Sequence, residues 1–172
     1  MPTFYTLDRR GLLRENGQFQ LISAPALNPF NDQVFTEGLS KHGELYHLQF
    51  GIYNQQNLPS GAIEYSLELV RRLQFPDKPS RLQSMFACEH LDHAKHFRGT
   101  SKSKISTPIF EVDAENYHRG DMNLINAGCN MAEFHRRMVS YWQGESYAIE
   151  ENYEAFWEIV IPLPATIGCR VA

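Results

Sequence analysis

The chain lacks most features that mark secreted and membrane proteins. Its three cysteines, Cys88, Cys129 and Cys169, form no metal-type pair and are odd in number, which favours reduced thiols over a disulfide framework. The longest apolar stretch, residues 155–163, contains a glutamate and a proline and is too short to span a bilayer. The N-terminus has no basic region leading into an apolar core. These absences predict a cytoplasmic protein that does not enter a membrane.

Other absences narrow the function classes. The sequence contains no Gly-x-Gly-x-x-Gly, no Walker loop and no Gly-x-Ser-x-Gly, which argues against the usual dinucleotide folds, P-loop enzymes and serine hydrolases. The net charge of −4 provides no general attraction to nucleic acid, so a polynucleotide partner would need a local basic patch. At 172 residues, without repeats or linkers, the chain predicts one domain spanning residues 1–172.

The hydrophobic patterns predict an α+β fold. Apolar residues at helical spacing, such as Ile63, Leu67 and Val70, predict amphipathic helices, whereas alternating and β-branched runs predict strands. The predicted helices cover residues 60–74, 89–97 and 129–143; the predicted strands cover residues 4–8, 81–88, 109–113, 156–163 and 167–171. A further short strand is expected within residues 116–126. Residues 12–58 are rich in Asn, Gln, Gly and Pro and predict loops with one or two small strands or turns, either a lid over a site or irregular packed structure.

The segment from Phe75 to Cys88 is the one around which the other elements are expected to assemble. Pro76 and Pro79 favour an extended entry into a strand. Arg81 stands at the start of that strand between Ser80 and Ser84, and a guanidinium with neighbouring hydroxyls suits a phosphate or pyrophosphate. The alternative interpretation is a surface ion pair between Arg81 and Asp77.

Glu158 is the most informative single residue, because its neighbours in the run from Phe156 to Ile161 all favour burial. An unpaired carboxylate in such a run is costly. In a strand, Glu158 shares a face with Phe156 and Val160, so that face either lies on an exposed edge strand or lines a polar cleft.

Four potential metal ligands, Cys88, His90, His93 and His96, fall within nine residues of sequence. Their spacing matches no His-Glu-x-x-His motif, and no cysteine pair accompanies them. We therefore predict solvated histidines on a helix face and no metal site; the alternative is a metal-dependent enzyme that acts on nucleic acid.

Three motifs, taken in order, resemble the mono-ADP-ribosyltransferase-like superfamily, and within it an uncharacterised bacterial branch of toxins and effectors. They are the run from Phe75 to Ala87 with the helix after it, Tyr141-Trp142, and Trp157-Glu158-Ile159. The resemblance implies two small packed sheets that frame an NAD cleft, with flanking helices. The three strands at the cleft would be residues 4–8, 79–88 and 156–163.

The resemblance also implies the roles of individual residues. Glu158 corresponds to the late catalytic glutamate, which stabilises the positive ribose as nicotinamide leaves NAD. The cofactor-binding positions come from the first two strands: Tyr5, Thr6, Arg9, Ser80, Arg81, Ser84 and Phe86. Many members have Tyr-His where this chain has Tyr5-Thr6, and either Arg9 or Arg10 supplies the arginine that other branches use.

The resemblance also implies which side chain contacts which part of NAD. Arg81 would pair with the pyrophosphate, and Tyr5 or Phe86 would pack against the nicotinamide or adenine ring. Hydroxyl groups for ribose or carboxamide contacts would come from three residues: Thr6, Ser80 and Ser84. No metal is needed for this chemistry.

The resulting hypothesis is an NAD-dependent ADP-ribosyltransferase that modifies a protein or a nucleic acid. The toxin-like resemblance implies delivery into a target cell as an alternative to a cytoplasmic role, and an antitoxin or immunity protein as a neutralising partner. The main alternative is a catalytically inactive binding module on the same fold, which the missing first-strand histidine favours.

Overall fold

Seven antiparallel strands and four helices make up the part of the chain that the computed structural model describes, residues 1–22, 35–49, 51–53, 59–100 and 103–172. The strands are β1 (Thr3–Leu7), β2 (Gln18–Phe19), β3 (Ser84–Cys88), β4 (Ile109–Asp113), β5 (His118–Asp121), β6 (Trp157–Pro162) and β7 (Ala165–Arg170). The helices are α1 (Lys41–Gly43), α2 (Ser60–Gln74), α3 (Leu91–Thr100) and α4 (Met131–Gln143). A π-helix, Glu44–Gln49, continues α1, and 3-10 turns at Arg81–Gln83 and Met122–Leu124 flank β3 and β5.

The strands form one sheet in the order β2-β7-β4-β1-β3-β6-β5. β6 and β7 lie four positions apart, yet only Leu163 and Pro164 connect them. In a flat sheet the two strands would be about 19 Å apart, at about 4.8 Å per strand, and three Cα–Cα steps of 3.8 Å reach at most about 11 Å. The sheet must therefore bend sharply, which brings the end of β6 back to the start of β7.

The bend encloses an apolar core on one face of the sheet. Its largest buried cluster draws on five strands and includes Phe4, Met85, Val112, Ile159 and Ile167. The opposite face carries the helices: Leu67 and Val70 of α2 and Met138 and Trp142 of α4 pack together there with Val160. α3 forms a smaller cluster through Ala94 with Cys88 and Ile109.

Local signals explain where α4 begins and ends. The side chain of Asn130 accepts a hydrogen bond from the backbone N–H of Glu133 at 2.9 Å, which caps the first turn. Gly144 follows the last turn with a φ of 76°, the left-handed conformation that glycine adopts without strain. These contacts confirm the predicted helix and its stop at Gly144.

Most predicted elements are confirmed, with several corrections. Hydrogen bonds join all seven strands into one sheet, so the two separate small sheets implied by the resemblance are wrong. The first three residues of the predicted 81–88 strand form a 3-10 turn. Residues 44–49, expected as a small strand or turn, are helical because α1 leads directly into them. Within the region predicted as loops, residues 23–34, 50 and 54–58 lie outside the described residues, as do residues 101–102.

Two large apolar residues at the ends of their helices are exposed. Leu73 of α2 and Met131 of α4 are 80% and 85% exposed. Among the described helices, none is long and apolar enough to cross a membrane.

Candidate functional site

A cavity of about 730 Å³ opens between the ends of β1 and β3 and the helical segment that begins at α1. Its volume lies within the range of small-molecule and cofactor sites. Seven of the eight predicted site residues line it: Tyr5, Thr6, Arg9, Arg81, Ser84, Phe86 and Glu158. The structure thus brings together side chains from three neighbouring strands and the turn before β3.

Arg81 and Glu158 meet at the base of this cavity. One Nη1–H group of Arg81 donates to Glu158 Oε1, and Nη1 also donates to the hydroxyl of Tyr141 at 2.7 Å. The Nε and Nη2 groups donate to the two carboxylate oxygens of Glu64, at 3.0 and 2.9 Å. We call these four residues, Glu64, Arg81, Tyr141 and Glu158, the cavity cluster. All four are buried.

The cavity cluster holds two carboxylates against one guanidinium. Burial opposes the charge on Arg81, but Glu158 and Glu64 outweigh it and raise the pKa of Arg81 well above its ordinary value. Burial likewise favours a neutral Glu64, but Arg81, assisted by His42, lowers the pKa of Glu64 well below its ordinary value. Burial and the neighbouring Glu158 raise the pKa of Tyr141. With both carboxylates ionised, the cluster holds two negative charges against one positive charge, a surplus of one negative charge.

Glu158 is held so that one oxygen is committed to the protein. Oε1 accepts hydrogen bonds from Arg81 and, at 2.8 Å, from Tyr141. No described residue donates to Oε2. Since Glu158 lines the cavity, Oε2 is the oxygen available to a bound molecule.

A close approach of α4 to the sheet makes this arrangement possible. Gly120 of β5 pairs with Glu158 in the sheet, and a Cβ at Gly120 would lie 2.3 Å from the ring of Tyr141. Only glycine leaves room for that ring, which is why the hydroxyl of Tyr141 can reach Glu158. β6 lies between β3 and β5, so the alternative of an exposed edge strand for Glu158 is wrong.

The remaining first- and second-strand residues form the walls. The guanidinium of Arg81 lies 4.6 Å from the ring centre of Phe86, a cation–π contact. Thr6 donates its hydroxyl to the backbone carbonyl of Phe86 at 2.8 Å, which joins β1 to β3. Ser84 donates its hydroxyl to the carbonyl of Ser80 at 2.6 Å. Arg9 is exposed at the cavity mouth, over the ring of Phe97.

Ser80 is the predicted site residue that the structure separates from the others. Its hydroxyl donates to Glu68 at 2.9 Å and caps the turn at Arg81, so it does not line the cavity. The alternative interpretation, a surface ion pair between Arg81 and Asp77, is wrong, because Arg81 is buried and pairs with Glu64 and Glu158.

Three residues of the site were given no site role from the sequence. Tyr141 was named only within the Tyr141-Trp142 motif, Glu64 lay in the predicted helix over residues 60–74, and His42 lay in a region predicted as loops. The signal for Glu64 was its position: Glu64 and Glu68 both neighbour the buried Leu67 on one face of α2. Nothing in the local sequence of His42 indicated a site.

Cationic groups surround the mouth of the cavity. Arg9 and Arg10 follow β1, and Lys41 opens α1. The side chain of Arg10 donates to the backbone carbonyl of Lys41 at 3.2 Å, which connects the two segments of the rim. Glu44 pairs with Lys41 at 2.9 Å, so the positive charge of the rim rests on Arg9 and Arg10. The cavity therefore has an acidic base and a basic rim.

The cysteine and histidine group before and within α3 forms no centre in the structure. His90, His93 and His96 are exposed, and within the described ranges no group of three or more His, Cys, Asp or Glu side chains could hold a metal ion. Cys88 lines the cavity, but burial, reinforced by Glu158, raises the pKa of its thiol to about 12. That thiol stays protonated near neutral pH and is a poor nucleophile.

Residues 30–167 match the model of a family described as "Protein of unknown function (DUF2441)". The chain belongs to this family. The matched range includes Glu64, Arg81, Tyr141 and Glu158 but not β1, which supplies Tyr5 and Thr6. Comparison with curated proteins found no match.

Proposed function

We propose that this DUF2441 protein is an NAD-dependent mono-ADP-ribosyltransferase that transfers ADP-ribose to a macromolecular acceptor, either protein or nucleic acid. The observation that carries the proposal is the surplus negative charge of the cavity cluster. A fixed carboxylate in a site of low dielectric constant stabilises positive charge that develops beside it. The ribose of NAD develops such a charge when its bond to nicotinamide breaks.

The reaction balances without a further co-reactant. The bond between the nicotinamide nitrogen and ribose C1′ breaks, and its electron pair leaves with nicotinamide. The acceptor nucleophile forms a new bond to C1′ and gives up its proton. Glu158 would stabilise the ribosyl cation through Oε2, since Oε1 is engaged by Arg81 and Tyr141.

The charges of the cavity support roles for Arg81 and the rim arginines that differ from those implied by the resemblance. Arg81 already donates to two carboxylates and a hydroxyl, so we assign it the role of positioning Glu158. The pyrophosphate is assigned to the basic rim, where Arg9 and Arg10 are exposed beside Lys41. The aromatic walls at Tyr5 and Phe86 suit the flat rings of NAD.

The adjacency of the three strands also supports the proposal. β1, β3 and β6 are consecutive in the sheet, the arrangement that brings first-strand, second-strand and late-strand residues to one cleft. An effector role would carry with it a neutralising partner, an antitoxin or immunity protein, and either a cytoplasmic location or delivery into a target cell.

A catalytically inactive binding module is the second candidate. The observation that favours it is the direct Arg81–Glu158 ion pair, which partly neutralises the carboxylate on which transfer depends. This candidate binds NAD or a related nucleotide without turnover, so binding and turnover measured on the same sample distinguish the two functions.

The test is incubation of the purified protein with isotopically labelled NAD and a cell extract. We expect label in macromolecules and release of nicotinamide, with Glu158→Gln lowering the initial rate by roughly 10²- to 10³-fold, the usual effect of removing one transition-state contact. Glu151→Gln, an exposed glutamate ahead of β6, is the matched control.

Protease or nuclease treatment of the labelled product then identifies the acceptor class. Binding of NAD without release of nicotinamide would favour the inactive module. Equal rates for Glu158→Gln and Glu151→Gln would contradict the assignment of Glu158.

A further inference from the structure

His42 lines the cavity, and the proposed reaction assigns it no role so far. It is the one histidine among the described residues that line the cavity. Its Nε2 lies 3.2 Å from Glu64 Oε1, and its ring packs against Tyr46 at 4.6 Å and Phe86 at 4.7 Å between ring centres. A carboxylate and two aromatic rings thus define the position of this imidazole.

The segment that carries His42 is attached to the segment that carries Arg81. The backbone N–H and the hydroxyl of Ser40 both donate to the carbonyl of Leu82, at 2.8 and 3.1 Å. Ser40 also caps α1 by accepting from the N–H of Gly43 at 3.0 Å. A Cβ at Gly43 would lie 2.0 Å from the Leu82 carbonyl oxygen, so glycine permits this contact. His42 therefore keeps a fixed position relative to the cavity cluster.

Glu64 and His42 place a carboxylate oxygen 3.2 Å from an imidazole nitrogen, the two groups that a carboxylate-oriented catalytic histidine combines. Glu64 is itself held by two hydrogen bonds from Arg81, so its position does not depend on His42. Nε2 of His42 is buried, and no hydrogen bond of good geometry satisfies it. Because Nε2 is the ring nitrogen that lies 3.2 Å from Glu64, Nδ1 is the ring nitrogen left for an incoming molecule.

We propose that His42 is the proton acceptor for the incoming nucleophile and that Glu64 orients it. The inference rests on the proposed transferase function. In the step, the acceptor O–H or N–H gives its proton to His42 Nδ1 while its heavy atom bonds ribose C1′ and nicotinamide leaves with the electron pair of the broken bond. The acceptor class is therefore a neutral, proton-bearing group, such as a hydroxyl or an amide, and not a thiolate or carboxylate.

The two carboxylates of the cavity cluster are unsuited to this task. Glu64 is engaged by Arg81, which lowers its pKa and makes it a poor base. Glu158 must stay ionised to stabilise the ribose. Imidazole is the side chain that exchanges protons near neutral pH, as general-base catalysis requires.

Several other groups influence the charge of His42 and must be considered in its pH dependence. The charged and titratable side chains around it in the cavity are Glu64 and Tyr46, then Arg81 and Glu158 at the base, Arg9, Arg10 and Lys41 at the rim, and Tyr5, Asp8 and Cys88 elsewhere in the lining. Glu64 is the charged group in direct contact with the imidazole.

The experiment measures transfer from labelled NAD between pH 5 and pH 9 for wild type, His42→Gln, Glu64→Gln and Glu158→Gln, with NAD affinity measured on each. We expect His42→Gln to lower the rate at neutral pH by roughly 100-fold, to abolish the rise in rate with pH and to leave NAD affinity largely unchanged. His47→Gln, in the same helical segment with its ring against Phe35, is the matched control and should behave as wild type.

A second readout does not depend on turnover. The imidazole of His42, followed by NMR in the full-length protein, should titrate with a lower midpoint in Glu64→Gln than in wild type, because the variant removes the adjacent negative charge. This comparison leaves His42 itself unchanged, so it remains decisive if His42→Gln does not fold.

The outcomes separate this proposal from the proposed function. A pH profile of wild-type shape in His42→Gln, or an unshifted midpoint in Glu64→Gln, would overturn the role of His42 even if Glu158→Gln is inactive. Absence of NAD turnover by wild-type protein would overturn both the transferase function and this step.

Discussion

Two buried carboxylates on α2, Glu64 and Glu68, stand one helical turn apart and belong to clusters of opposite character. Glu64 belongs to the cavity cluster, where two carboxylates share one guanidinium. Glu68 accepts hydrogen bonds from Arg71 at 2.8 and 3.1 Å, from Arg72 at 2.7 Å and from Ser80 at 2.9 Å. We call these four residues, Glu68, Arg71, Arg72 and Ser80, the turn cluster.

The turn cluster closes the chain between α2 and β3. Arg71 also donates to the carbonyls of Pro76 and Lys78, at 3.2 and 3.0 Å, so one side chain holds the whole turn. Burial favours a neutral Glu68, but the bonds from Arg71 and Arg72 lower its pKa. The turn cluster therefore carries a positive surplus and reaches solvent through the partly exposed Arg72, whereas the cavity cluster carries a negative surplus at a cavity. The same residue types serve structure in one place and a candidate reaction in the other.

Replacement of Arg81 is the strongest test of this comparison. Arg81→Met leaves Glu64 and Glu158 buried without a counter-charge, so we expect the free energy of unfolding to fall by about 3–5 kcal/mol. Urea denaturation measures the effect, with Arg72→Met as the control, because Arg72 is partly exposed. Combining Arg81→Met with Glu64→Gln and Glu158→Gln should restore part of the loss. If Arg81→Met lowers the free energy of unfolding no more than Arg72→Met does, the proposed difference between the two clusters is wrong.

His118, which packs against Tyr141, is a buried titratable residue that has no counter-charge among the described residues, unlike the carboxylates of the two clusters. Its Nε2 lies 2.8 Å from the Tyr141 carbonyl, and burial lowers its pKa from 6.5 to about 4. Between those values the unfolded chain binds a proton that the folded chain does not, so stability falls as the pH drops from about 6.5 to about 4. The shift corresponds to about 3 kcal/mol.

Urea denaturation across this pH range tests the His118 prediction. His118→Gln should lack that part of the acid destabilisation, whereas His135→Gln, on the exposed side of α4, should retain it. Parallel pH curves for wild type and His118→Gln would contradict the prediction.

Glu68→Gln tests whether the turn cluster is purely structural. The neutral amide weakens the bonds from two arginines in a buried position, so we expect a loss of about 1–3 kcal/mol of stability. NAD turnover per folded molecule should not change, because Glu68 does not line the cavity. Glu37→Gln, an exposed glutamate, is the stability control. A loss of turnover that exceeds the loss of folded protein would show that the two clusters are coupled.

Glu158→Gln has the smallest expected effect on stability. It leaves Arg81 paired with Glu64 alone, a neutral pair, so the free energy of unfolding should change by less than about 1 kcal/mol or rise. Thermal unfolding and NAD turnover are measured on the same variant. We expect Glu158→Gln to lose turnover and keep its stability, the reverse of Glu68→Gln. Strong destabilisation by Glu158→Gln would mean that the surplus carboxylate is structural.

The elements with strong periodicity were predictable from the sequence, and the contacts between elements were not. α2, α4 and β6 follow from apolar spacing, and Gly144 marks the end of α4. The helical segment that carries His42 escaped prediction because its local composition resembles a loop. Its position depends on Ser40 and Gly43 meeting the Leu82 backbone, 42 residues after Ser40.

In the candidate site, too, single residues were predictable from the sequence and their contacts with each other were not. Glu158 and Arg81 stood out because a carboxylate in an apolar run and an arginine between hydroxyls each need a partner. That they are partners of each other, 77 residues apart, depends on β3 pairing with β6. Ser80 was assigned to the site for its place beside Arg81, but the 3-10 turn directs neighbouring side chains to different clusters.

The sequence by itself determined which segments become helices and strands and which residues are costly to bury alone. These properties depend on local periodicity and on the chemistry of single side chains. Only the tertiary structure decided which costly residues meet, because ion pairing requires proximity in space, and here the bent sheet and the packing of α2 and α4 provide it.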